Sequence, residues 1–93
     1  MNARALVAWN VRRIRVHRGI PQDQLAYDAG IDRSYMGRIE QQKENPTIDL
    51  LDRIAGTLGV HLSELFLEPA KGTVPPKPLS KGRKPARPNP NKR

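Results

Sequence analysis

The sequence predicts an all-α fold: a small domain of five short helices over residues 1–68, followed by a disordered, basic, proline-rich tail over residues 69–93. Apolar residues in the first stretch recur at helical spacing, and no strand-like alternation interrupts them. Gly, Pro and an Asn-Pro step cut that stretch into pieces of helical length. Composition changes abruptly at Pro69. Residues 1–68 hold nine basic and nine acidic residues, whereas residues 69–93 hold eight basic residues, no acid and seven of the nine prolines. The formal charge of +8 therefore belongs wholly to the tail. Its apolar residues, Ala70, Val74, Leu79 and Ala86, are too few to offset chain entropy by burial.

Each helix has a start, a stripe and a stop. Val7, Val11 and Ile14 mark a first helix over residues 6–18 that ends at Gly19. Pro21 suits the first position of a second helix, with Leu25, Ala26 and Ala29 inward and Gly30 at its end. Asp32 is a good N-cap for a third helix over residues 33–41, which buries Met36 and Ile39. Asn45-Pro46 breaks the chain, and Thr47 caps a fourth helix with Ile48, Leu51, Ile54, Ala55 and Leu58 inward. After Gly59, Leu62, Leu65 and Phe66 make one more apolar turn or two.

Composition excludes several classes of function. With no cysteine there is no disulfide framework, Cys-containing zinc site or thiol nucleophile, and two histidines are too few for a zinc shell. No metal or cofactor is expected. The longest apolar run, Ala5–Trp9, is far short of the ~20 residues that span a bilayer. It soon meets Arg12, Arg13 and Arg15, which argues against a secretory signal and for a cytoplasmic protein without a membrane partner. Ser34, Ser63 and Ser80 lack a nucleophile-elbow context, and no glycine-rich phosphate loop is present, so no enzyme is expected. His61 reads as a helix cap and His17 as a solvated residue.

Helix two, the Gly30-Ile31-Asp32 turn and helix three form a helix-turn-helix unit. Around it, Arg12-Arg13-Ile14-Arg15, Gly19-Ile20-Pro21-Gln22, Leu25-Ala26, Ala29-Gly30-Ile31, Tyr35-Met36, Arg38-Ile39-Glu40, Asn45-Pro46 and Leu58-Gly59-Val60 follow in one order. That order closely resembles the XRE family, the Cro and phage-repressor type of DNA-binding domain, over roughly residues 6–67. The resemblance implies a lambda-repressor-like helix-turn-helix domain that binds double-stranded operator DNA as a homodimer and regulates transcription, as a repressor. Helix three would lie in the major groove. Arg33, Ser34 and Arg38 match the positions that usually read bases, and an arginine's bidentate pair to guanine discriminates by ~1–3 kcal/mol. Gln22 matches a phosphate-contacting glutamine at a helix N-terminus, with Lys43 and Asn45 as further phosphate candidates. Gly37 either allows close approach to the groove or is a tolerated helix weakener.

The same resemblance implies a partly buried structural ion pair between Arg15 and Glu40. Three departures set this chain apart. Pro21 replaces a capping Ser or Thr, Gln42 replaces a glycine where a left-handed residue is wanted, and Gln41 and Glu44 replace residues that are often basic.

Leu62, Leu65, Phe66 and Leu67 form an apolar cluster larger than one turn needs, which fits a homodimer seam and equally a different protein partner. The alternative function is therefore a protein-interaction module on the same fold, an antitoxin or anti-activator. In the tail, Lys81-Gly82-Arg83-Lys84-Pro85-Ala86-Arg87-Pro88 resembles an AT-hook, with Lys81, Arg83, Lys84 and Arg87 as candidate DNA contacts. A plain solvated tail is the other description. Either gains DNA affinity through counterion release.

Overall fold

Four α-helices and one short 3₁₀ helix, with no strand, build the described part of the chain; the computed structural model describes residues 1–73. The helices are α1 (Ala3–His17), α2 (Gln22–Ala29), α3 (Arg33–Glu40) and α4 (Ile48–Leu58), and the 3₁₀ helix spans Leu62–Phe66. The last apolar turn is thus tighter than an α-helix.

Side-chain caps set most of the starts. Asn2 accepts a hydrogen bond from the Ala5 amide at 2.9 Å, so α1 begins three residues earlier than the apolar stripe alone suggests. Asp32 accepts from the Tyr35 amide and Thr47 from the Leu50 amide. His61 Nδ1 accepts from the Ser63 amide, the capping role expected of it. Pro21 is a correction: with ψ 153° it is the extended N-cap of α2 rather than its first helical residue, and it supplies no capping hydrogen bond.

The four α-helices end alike. The residues that follow left-handed positions 19, 30, 42 and 59 donate back five residues: Ile20 to Arg15, Ile31 to Ala26, Lys43 to Arg38 and Val60 to Ala55, at 2.8–3.0 Å. Glycine holds three of these positions. Gln42 holds the fourth at φ 65°, the one non-glycine residue with positive φ among the described residues.

The core is a single cluster. Val7, Val11 and Ile14 of α1 meet Leu25 and Ala26 of α2, Met36 and Ile39 of α3, Leu51, Ile54, Ala55 and Leu58 of α4, and Leu65. Packing places α1 against α3 and the 3₁₀ helix, and α2 against α3 and α4. Two apolar expectations are corrected here. Ile48, expected inward, is 71% exposed, because the α4 stripe runs past the core at its first residue and opens into a groove shared with Arg4, Leu51 and Phe66. Leu65, expected in a dimer seam, is fully buried in this core and cannot present a surface.

Two polar side chains lie inside. Arg15 binds Glu40 through both ends of its fork, Nε at 2.7 Å and Nη2 at 2.9 Å, and its Nη1 donates to the Ile20 carbonyl. The pair is nearly closed to solvent. Asn10, 1% exposed, donates through its amide to the carbonyls of Leu6, Leu65 and Leu67, while its oxygen accepts from the Arg13 guanidinium. No helix among the described residues is long and apolar enough to cross a membrane.

Candidate nucleic-acid interface

Helix α3 divides into two faces. Met36 and Ile39 turn into the core, while Arg33, Ser34 and Arg38 are exposed, with Gly37 half-buried between them. The residues 33, 34, 37 and 38 are spaced by three or four, so they line one surface of the helix. α2 supports that surface from behind: the Gln22 side-chain oxygen lies 3.4 Å from where a Cβ on Gly37 would sit. A Cβ at position 37 would meet the end of the flexible Gln22 side chain at ordinary van der Waals distance, so packing in the unit does not itself require glycine there.

Lys43 and Asn45 are exposed in the loop after α3. Gln22 is half-buried at the first position of α2, whose N-terminal amides lack a side-chain cap. The Arg15–Glu40 pair joins α1 to the last residue of α3, which fixes the C-terminal end of the candidate reading helix. Arg38 is not free. Its Nε meets Glu44 Oε2 at 2.6 Å, and its guanidinium lies over the Tyr35 ring at 5.6 Å from the centroid. Glu44 has no signal in the sequence as a partner of Arg38, because the loop's return past the helix decides the contact.

The remaining seam candidates are on the surface. Leu62 packs half-buried on the core, Phe66 is 39% exposed and Leu67 is 46% exposed. Phe66 also walls the groove beside Ile48, a cleft of about 250 Å³. Lys81, Arg83, Lys84 and Arg87 lie outside the described residues. No group of His, Asp and Glu side chains suited to a metal ion occurs among the described residues.

A helix-turn-helix family model (HTH_3) matches residues 11–65, which include all of α2, the turn and α3. The chain belongs to the XRE-type helix-turn-helix family. Among relatives, a hypothetical transcription factor of Neisseria meningitidis serogroup B is 36% identical over 66 residues, 71% of this chain and 62% of that protein. The immunity repressor protein of Bacillus phage phi105 is 37% identical over 62 residues, 67% of this chain and 43% of the repressor. The chain thus spans between two fifths and two thirds of these relatives' length. A solved structure of the restriction-modification controller protein C.Esp1396I, a tetramer in complex with its natural 35 base-pair operator, superposes with a TM-score of 0.65 at 32% identity. That alignment covers 71% of this chain and 87% of the controller protein.

Proposed function

We propose that this chain is a sequence-specific DNA-binding transcriptional regulator, a repressor, that binds operator DNA as a homodimer in the cytoplasm and catalyses no reaction. The observation that carries this is the outward face of α3, where Arg33, Ser34 and Arg38 stand exposed on a helix anchored by Met36 and Ile39. A major groove about 12 Å wide admits such a helix, and these side chains would read base edges there. Gln22, at the start of α2, with Lys43 and Asn45 in the loop after α3, would hold phosphates and set the register. Family membership and the operator-bound controller protein support the same reading. The 3₁₀ helix stands as the counterpart of a fifth helix, and residues 1–68 as the DNA-binding domain.

The homodimer seam is assigned to Leu62, Phe66 and Leu67, the last two exposed, with Ile48 added because it is exposed and lines one groove with Phe66. A two-fold dimer there would present two α3 helices about 34 Å apart on one side of the duplex. The basic tail, residues 69–93, adds salt-dependent affinity through Lys81, Arg83, Lys84 and Arg87.

Selection of bound duplexes from a random pool tests the function. A palindromic consensus is expected. Recovery of A·T-rich DNA without a consensus would overturn specific readout by α3 and leave a protein-interaction module, for which the exposed groove beside Phe66 is the candidate surface.

A further inference from the structure

We propose that Glu44 is a positioning residue for Arg38, one that makes binding selective at a single base pair while lowering affinity for DNA in general. The proposal rests on the DNA-binding reading above. Arg38 is held from two sides, by the carboxylate of Glu44 on Nε and by the Tyr35 ring beneath the guanidinium. The loop that carries Glu44 is tied to the same residue, because the Lys43 amide donates to the Arg38 carbonyl at 2.8 Å. A guanidinium has five N–H donors, and only the Nε–H is taken, so the four on Nη1 and Nη2 remain.

Those two nitrogens form the end-on fork that fits O6 and N7 of guanine. The other fork, built from Nε and one Nη, is closed by the carboxylate. Glu44 therefore selects one orientation of the arginine and one approach to a base. It also brings a negative charge beside the phosphates, which every DNA sequence carries, and this lowers affinity without regard to sequence. The pair is accessible enough to meet DNA, since Arg38 is 45% exposed and Glu44 26% exposed.

Two variants separate positioning from charge. Glu44→Ala removes both the charge and the acceptor, whereas Glu44→Gln removes the charge and keeps an acceptor for Nε–H. Fluorescence anisotropy of the full chain is read with the selected duplex, every single-base-pair replacement in one half-site, and an unrelated duplex. The parent is expected to prefer G·C at one position by about 5- to 150-fold, the range of a bidentate arginine pair. Both variants should bind the unrelated duplex more tightly, by about two- to fivefold at low salt, an advantage that shrinks as salt rises. Glu44→Ala should lose at least about fivefold of the preference at that one position, and Glu44→Gln should keep most of it. Discrimination is a ratio within one protein, so any loss of folded fraction cancels. A Glu44→Ala variant with unchanged preference at every position overturns the proposal, as does equal loss in both variants. A parent with no base preference anywhere overturns the DNA-reading function itself.

Discussion

Gln42 carries a backbone conformation that suits glycine. Left-handed φ costs an ordinary L-residue roughly 1 kcal/mol or more, and the equivalent positions after α1, α2 and α4 are all glycine. Gln42→Gly is therefore expected to stabilise the fold by about 1 kcal/mol, read as a higher midpoint in urea. Asn10 is the opposite case. Its amide is buried against three carbonyls, so Asn10→Ala leaves acceptors and the Arg13 guanidinium without their partner. A loss of about 2–3 kcal/mol is expected in the same measurement. The left-handed position at 42 could be anticipated only through the family resemblance, which implies a glycine after helix three where this chain has Gln42. The role of Asn10 could not be anticipated, because its partners at Leu65 and Leu67 lie 55 and 57 residues away.

Among the elements, α3 depends on its neighbours more than on its own eight residues. Met36 and Ile39 fix its rotation, Asp32 its start, and the Arg15–Glu40 pair its end. Because that pair is buried and bidentate, Arg15→Ala should cost about 3–5 kcal/mol, much of it the penalty of leaving Glu40 without a partner. A thermal melt equal to the parent's would remove the pair from this role. On the outer face, Arg33→Ala should lower discrimination at one base pair by about 1–3 kcal/mol, while Lys43→Ala should weaken all duplexes alike and reduce the salt slope by about one. Competition binding at two salt concentrations distinguishes the two. Helix order, the Asp32, Thr47 and His61 caps and the apolar stripes of α1 to α3 could be read from residue type and spacing because they are local signals. The outward turn of Ile48, the tighter last helix and the hold of Glu44 on Arg38 could not, since each depends on where the core ends or how a loop folds back.

For the molecule as a whole, the proposed function assigns specificity to the formally neutral residues 1–68 and salt-dependent affinity to the +8 of residues 69–93. Truncation after Glu68 should leave the preferred sequence unchanged and flatten the dependence of log K on log salt, by up to about 0.9 for each phosphate that the tail neutralises. An unchanged slope would take the tail out of the interface. Assembly is a separate question, and Phe66→Glu places a charge in the proposed seam while leaving Arg33, Ser34 and Arg38 on the outward face of α3 unchanged. Sedimentation should then show a monomer, and a half-site duplex should be bound as well as by the parent.

Asn10 has one more consequence, for how small this protein can be made. It ties the first helix to the carbonyls of Leu65 and Leu67, so the two ends of the domain are stitched together rather than stacked at opposite poles. Leu65 fills the core beside them. A fragment that stops at Val60 would keep all four α-helices and still lose the closing stitch. Such a fragment is expected to unfold at a lower urea midpoint than residues 1–68, because it loses both the Leu65 side chain and the carbonyls that Asn10 binds.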